Sequence, residues 1–193
     1  MKKIMFNEEY GLQTAVLDGR KTMTRRMVLP KISVSAKLGE IKGFDRAEDY
    51  ILRHSYFNED DVVAIAQSYE EIYYSIPEQS RDKISSKAGW RNKMFVKAEL
   101  MPHHIRITNV KVEHLQDITE EDCLREGIQE YFPYINRDPN DRLRTFQYFK
   151  NGKIRYRRSP ATECFANFID DISGKGTWES NPLVYAYEFE LID

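Results

Sequence analysis

No run of this sequence is apolar and long enough to span a bilayer. The start, Met1-Lys2-Lys3-Ile4-Met5-Phe6 followed at once by Asn7-Glu8-Glu9, lacks the apolar stretch of a secretory leader. The expectation is a soluble, cytoplasmic protein with no membrane partner. Cysteine is equally scarce. Cys123 and Cys164 are the two present, far apart and in no CxxC spacing, which argues against both a zinc site and a disulfide framework. Each falls in a helical pattern and reads as a small buried residue. Net charge is nearly absent as well: 29 Lys and Arg against 31 Asp and Glu leave −2. No global field then draws the chain to nucleic acid, and any such affinity must come from a local cluster of Lys and Arg.

What is present suits one domain. With 193 residues, 41% hydrophobic and 31% charged, the chain can build a real core inside a well-solvated surface. The 12 Tyr and 10 Phe serve either that core or a base-stacking surface. There is no internal repeat and no low-complexity tract.

Periodicity predicts an edge strand over Lys3 to Phe6, then a helix from Glu8 to Leu17 stopped by Asp18-Gly19. Lys21 to Val28 reads as a short strand or extended loop with two adjacent arginines. Pro30 to Asn58 is a polar excursion with one short helix, Arg46 to Arg53. Asp61 to Gln67 is nearly continuous in apolar character and predicts a buried strand. Ser68 to Gly89 is ambiguous. Further strands are expected at Met94 to Glu99 and at Ile105 to Leu115, the second broken at Thr108-Asn109 by a bulge of the kind that curls sheets. Thr119 caps a helix with acids in its first turn, ending at Gly127. Asn151-Gly152 marks a hairpin between Phe146 and Arg157. Ser159-Pro160 opens a helix striped with Cys164, Phe165, Phe168, Ile169 and Ile172, and Leu183 to Ile192 closes the chain as a strand. Strands with helices between them and no βαβα rhythm favour an α+β fold, a curled mixed or antiparallel sheet with flanking helices.

Gly19-Arg20-Lys21-Thr22-Met23-Thr24-Arg25-Arg26, directly after the first helix, resembles the signature segment of ASCH domains. Their loose pattern G-x-K-x-x-E-x-R is matched by Gly19, Lys21 and Arg26, with Thr24 in place of the acid. Asp61 to Tyr69, Met94 to Arg106, Ile105 to Ile128 and the closing Trp178, Asn181-Pro182 and Leu183 to Ile192 resemble later segments of phage-type and bacterial members in the same order. The resemblance implies a single PUA-like β-barrel over residues 1–193, with a cleft beside the basic segment and a role in RNA binding. The excursions at about 30–58 and 132–158 are its least typical parts.

Arg20, Lys21, Arg25 and Arg26 beside the hydroxyls of Thr22 and Thr24 supply bidentate and point-charge donors for phosphate or base. The alternative is a solvated basic edge that discourages strand pairing. Some small ASCH proteins act as amidohydrolases on acetylated cytidine nucleosides, and their Lys and Thr match Lys21 and Thr24, with Glu126 the candidate for their Glu. In that chemistry a Lys whose pKa is lowered by neighbouring arginines accepts the Thr proton, Thr attacks the carbonyl, and the acid protonates the leaving amine. Glu126 reads equally as a surface acid or a partner of Arg26. Tyr69, Tyr73, Tyr74 and Trp90 are candidates for base stacking, with core packing the alternative. His103 and His104 have no acid at metal-ligand spacing, so no metal is expected, and His104 is retained as a ligand contact. The basic and aromatic hairpin, with Tyr148, Lys150, Lys153, Arg155, Tyr156, Arg157 and Arg158, is a candidate extension of the cleft. No cofactor is expected. The leading expectation is binding of RNA, or of a nucleoside or nucleotide. An amidohydrolase using Lys21, Thr24 and Glu126 is the second and a protein-interaction domain the third, with the oligomeric state open.

Overall fold

The computed structural model describes residues 1–37, 39–41, 43–82, 84, 87–131 and 144–193, with Arg157 and Arg158 described by backbone only. Residues 132–143 of the second expected excursion, and the side chains of Arg157 and Arg158, lie outside it.

The strands are β1 (Lys2–Ile4), β2 (Met23–Met27), β3 (Val62–Ile65), β4 (His104–His114), β5 (Gln129–Tyr131), β6 (Thr145–Lys150), β7 (Lys153–Arg158) and β8 (Leu183–Leu191). The helices are α1 (Leu12–Leu17), α2 (Pro30–Lys37), α3 (Ala47–Arg53), α4 (Tyr69–Ile72), α5 (Glu78–Arg81), α6 (Glu120–Arg125), α7 (Ala161–Ser173) and α8 (Thr177–Ser180). A five-stranded sheet runs in the order β1-β3-β4-β8-β2, and a second sheet in the order β5-β6-β7. Only β1 and β3 pair parallel; every other pairing is antiparallel. The fold is therefore mixed α+β, as the sequence predicts.

β4 is the long central strand, and its register against β8 slips between Ile107 and Asn109, at the break read from Thr108-Asn109. β2 and β1 end the hydrogen-bonded order on opposite sides, so the ladder does not close on itself among the described residues. A side chain nonetheless links the two edges: the Arg26 guanidinium donates to the carbonyl of Met5, just after β1, at 2.7 Å. The apolar stripe of α7, with Cys164, Phe165 and Phe168 buried, packs on the second sheet and joins the same core as Ile105, Ile107, Val184 and Phe189 of the first. A smaller cluster gathers Tyr69, Ile72, Ile76, Ile84 and Val96 with Ala64 and Ala66.

Several expectations are corrected. Met94 to Glu99 is not a strand but two 3-10 turns, Lys93–Phe95 and Ala98–Leu100. The Asn92 side chain accepts from the Met94 amide and turns the chain, and the carbonyls of Met94 and Val96 accept from Lys3 Nζ instead of from a neighbouring strand. The helix expected over Glu8 to Leu17 is split by Gly11 at φ 65° into a 3-10 turn, Glu8–Tyr10, and α1. The first excursion holds a second helix, α2, starting at Pro30, where a missing amide costs nothing. With only Ile32 and Ala36 buried, its periodicity is too thin to read. The hairpin is as predicted, Asn151 and Gly152 at φ 51° and 72° making the tight turn, and β5 joins it as a third strand.

No helix of the described residues is long and apolar enough to cross a membrane.

Candidate functional site

The basic segment is threaded between three elements by its backbone. Lys21 N donates to Ala15 O of α1 at 2.8 Å, Thr22 N donates to Arg125 O of α6 at 3.0 Å, and Thr22 O accepts from Phe189 N of β8 at 2.9 Å. Residues at 21 and 22 are thereby fixed before β2 begins, and β2 carries Thr24 and Arg25 opposite Tyr187 and Ala186.

Lys21 is 2% exposed. Its ammonium donates to Met23 O, to Glu126 O and to Glu126 Oε2, each at 2.7 Å, so all three protons are placed. Burial pulls the lysine pKa below its ordinary value of 10.5, while the Glu126 charge and hydrogen bond oppose that pull. The neighbouring arginines, from which the sequence predicts the lowering, contribute in the same direction but less than burial does. Gly127 is what lets α6 end against this lysine. It sits at φ 110°, and a Cβ there would meet Leu12 Cδ2 at 3.2 Å and Lys21 Cδ at 3.8 Å.

Glu126 is shared. Its other carboxylate oxygen accepts from Arg25 Nη1 at 3.2 Å, so its partners are Lys21 and Arg25, where Arg26 was the partner considered. Arg25 is itself enclosed by acids, with Nε to Glu113 Oε1 at 2.8 Å and Nη2 to Asp122 Oδ2 at 3.0 Å. Burial works against its charge, but Glu126, Glu113 and Asp122 outweigh that and raise its pKa further. Lys111 pairs with Glu113 at 3.0 Å, and Arg125 bridges Asp122 at 3.4 Å and Glu188 at 2.7 Å. Four cations (Lys21, Arg25, Lys111, Arg125) thus face four carboxylates (Glu113, Asp122, Glu126, Glu188). Of the four cations read from sequence as phosphate donors, Lys21 and Arg25 are thus balanced from within, while Arg20 and Arg26 lie outside the network.

A cleft of about 470 Å³ opens over this network, within the size range of small-molecule sites. Lys21, Thr24, Arg25, Arg26 and Glu126 line it together with Glu8, Lys93 and the α7 residues Phe168, Ile172 and Ser173. Among the described residues the Thr24 hydroxyl has no hydrogen-bond partner, although the residue is only 5% exposed. Arg26 is solvent-exposed at the mouth. Lys93 is held by Glu8, by Phe6 O at 2.9 Å and by Gln13 Oε1 at 2.8 Å.

The other sequence candidates lie elsewhere. Arg20 is exposed beside Asp18 at 3.1 Å and borders a separate shallow hollow. Tyr69 is 2% exposed in the smaller core cluster, its hydroxyl accepting from Lys97 N at 3.0 Å, so its ring offers no stacking face. Trp90 packs against Tyr73 at 5.5 Å between ring centres, beside that cluster. His104 is tied to Asp193 at 2.6 Å at the start of β4 and does not line the cleft. Cys123 is buried, its thiol pushed up to about 12 by desolvation, consistent with a packing role. Among the described residues no group of His, Cys, Asp and Glu is arranged to hold a metal ion. Sequence reasoning missed Glu113, Asp122 and Lys93. Asp122 carried a signal only as a first-turn helix acid, and Glu113 and Lys93 carried none.

No protein family and no curated protein matches the chain significantly. One solved structure, protein EF3133 from Enterococcus faecalis of family DUF984, aligns over 100% of this chain and 77% of that one, with 13% identity and a TM-score of 0.41. A likeness that slight carries no argument about fold or function.

Proposed function

We propose that the chain is an amide hydrolase for ligands of nucleoside size, acylated cytidine-type nucleosides first among them, on an ASCH-like, PUA-like scaffold. The observation that carries this reading is the meeting at one cleft of Lys21, Thr24 and Glu126, the first and last 105 positions apart in sequence and 2.7 Å apart in space. The scaffold reading is supported by the bulged long strand and by the Arg26–Met5 link between sheet edges.

Burial disfavours a charged Lys21–Glu126 pair relative to a neutral one. Passing one proton across the 2.7 Å from Lys21 Nζ to Glu126 Oε2 leaves an amine and a carboxylic acid. Lys21 Nζ is bonded to Met23 O and Glu126 and not to the Thr24 hydroxyl, so substrate binding has to bring the amine and the hydroxyl together. The amine then takes the Thr24 proton as Oγ1 attacks the amide carbonyl, and the acid delivers its proton to the leaving nitrogen. The acyl-Thr24 ester remains. With the pair again neutral, Lys21 takes a proton from water, hydroxide adds to the ester carbonyl, and the Thr24 oxygen departs with that proton. Arg25, anchored on Glu113 and Asp122, fixes the Glu126 carboxylate throughout.

The test is mass-spectrometric turnover over a panel of acylated nucleosides. Thr24→Ala and Lys21→Ala are each expected to lose at least about a hundredfold in rate. Unchanged turnover in Thr24→Ala removes Thr24 as nucleophile and the reading with it.

A second reading, a nucleotide or an RNA end held in the same cleft, is favoured by the presence of the exposed Arg26 and of Lys93 in its lining. It requires RNA affinity that falls with salt and with Arg26→Ala; salt-independent binding rules it out.

A further inference from the structure

The cleft is not the only cavity at β2. A groove of about 390 Å³ lies on the far side of Arg26, and the two cavities share Met5 and Arg26 as lining. These two shared residues are joined by the hydrogen bond from Arg26 to Met5 O. Thr24 and Arg26 are two positions apart on one strand and emerge on the same face, roughly 7 Å apart. A carbonyl held at the Thr24 hydroxyl is therefore about one side chain from the groove.

The groove has a different chemistry from the cleft. Ile32, Tyr56 and Phe57 of the first excursion line the groove together with Leu29 and with Met27 of β2, and Lys3 and His54 add polar edges. Its floor takes ring surface from Tyr185 and Tyr187, whose hydroxyls are already satisfied by Ile51 O at 2.9 Å and Ser55 Oγ at 2.8 Å. Met27, Leu29 and Tyr56 are 52%, 65% and 62% exposed, a grouping of apolar side chains left without cover. The cleft, with Glu8, Lys93 and Ser173, offers charged and hydroxyl partners suited to a polar leaving amine.

We infer that this groove is the acyl subsite of the site described above, so that the substrates are amides joining a polar amine to an apolar acyl arm longer than acetyl. The inference rests on the hydrolase reading for the position of the carbonyl. The polar half occupies the cleft, the carbonyl sits at Thr24, and the arm passes Arg26 into the groove. The first excursion, one of the two parts of the chain least like the ASCH pattern, is then the specificity element.

Affinity and rate separate the two readings. Calorimetry on Thr24→Ala protein, which cannot form the ester, measures binding of N4-acetyl-, N4-hexanoyl- and N4-benzoylcytidine; wild-type protein measures their turnover. Hexanoyl and benzoyl ligands are expected to bind at least about tenfold more tightly than acetyl, from roughly two- to fourfold per buried methylene. Met27→Lys, at a half-exposed position, is expected to flatten that series while circular dichroism stays native. Equal affinity across the series, or a series undisturbed by Met27→Lys, overturns the subsite. Arm-dependent affinity without turnover of any ligand keeps the subsite and removes the hydrolase reading.

Discussion

The stretch from Arg20 to Arg26 has four basic residues in seven and the hairpin from Thr145 to Arg158 five in fourteen, and in the sequence both read as surfaces for nucleic acid. Folding treats them differently. In the first, Lys21 and Arg25 turn inward, and β4 and α6 bring Glu113, Asp122 and Glu126 against them. In the second, the hairpin sends Phe146 and Tyr148 into the core against α7 and leaves Lys153 and Arg155 on the solvent side. Its ion pairs, Arg155 to Asp171 at 2.9 Å and Lys150 to Glu9 at 3.9 Å, involve cations 58% and 38% exposed. Whether a basic run is a charge presented to a partner or a charge already answered depends on acids nearly a hundred positions away. Composition cannot report that.

The comparison is most sharply tested by removing one cation from each region. Arg25→Ala leaves three carboxylates around a vacated guanidinium site, with Lys21, Lys111 and Arg125 their remaining close partners. A loss of about 3–5 kcal/mol is expected in the urea unfolding free energy. Arg155→Ala, with solvent at hand to replace it, is expected to shift the unfolding midpoint far less. Equal costs would mean that the Arg25 network is not the internal scaffold drawn here.

What was legible in the sequence follows the same division. Local rules found what local chemistry fixes: the Thr119 cap with its hydroxyl on Asp122 N, the Asn151-Gly152 turn, the bulge at Thr108-Asn109 and the apolar stripe of α7. Lys21, Thr24 and Glu126 were chosen together through the ASCH resemblance, and no spacing rule links residues 21 and 126. Met94 to Glu99 misled because an apolar run with β-favourable residues was bent by a side-chain cap at Asn92 and held by Lys3 from β1. α2 was invisible because two buried residues in eight leave almost no periodic signal. Tyr69 and Trp90 illustrate the limit of residue type as evidence: the rings suited to stacking on a base are also those that fill a small core.

Glu188 lies between the two regimes, a quarter exposed and bonded to both Arg125 at 2.7 Å and Asn109 at 3.0 Å. The hydrogen bond from Arg125 holds its carboxyl below the ordinary value of 4.5. As pH falls, the unfolded chain takes up this proton before the folded one does. The stability it contributes is complete above about pH 4.5 and is lost as pH falls through the lower folded value. Glu188→Gln is expected to lower stability at pH 7 by on the order of 1 kcal/mol. It should also make the decline between pH 5 and 3 shallower than in the wild type, as chemical denaturation at stepped pH would read. An unchanged acid slope would assign that decline to other carboxylates, Asp61 and Asp171 among them, whose values are also lowered.

The smallest effect is expected at Lys153, exposed on β7 beside the turn. Reversing its charge in Lys153→Glu removes no buried contact, so stability should stay within about 0.5 kcal/mol of wild type. Turnover of an acylated nucleoside should not change either, since the residue does not line the cleft. RNA affinity is the informative measurement. If the hairpin extends the cleft into a nucleic-acid groove, this variant weakens binding and reduces its salt dependence, because one phosphate contact becomes a repulsion. If the basic residues of β6 and β7 serve solubility alone, binding is indifferent to the reversal, and any bound RNA is confined to the cleft between β2 and α7.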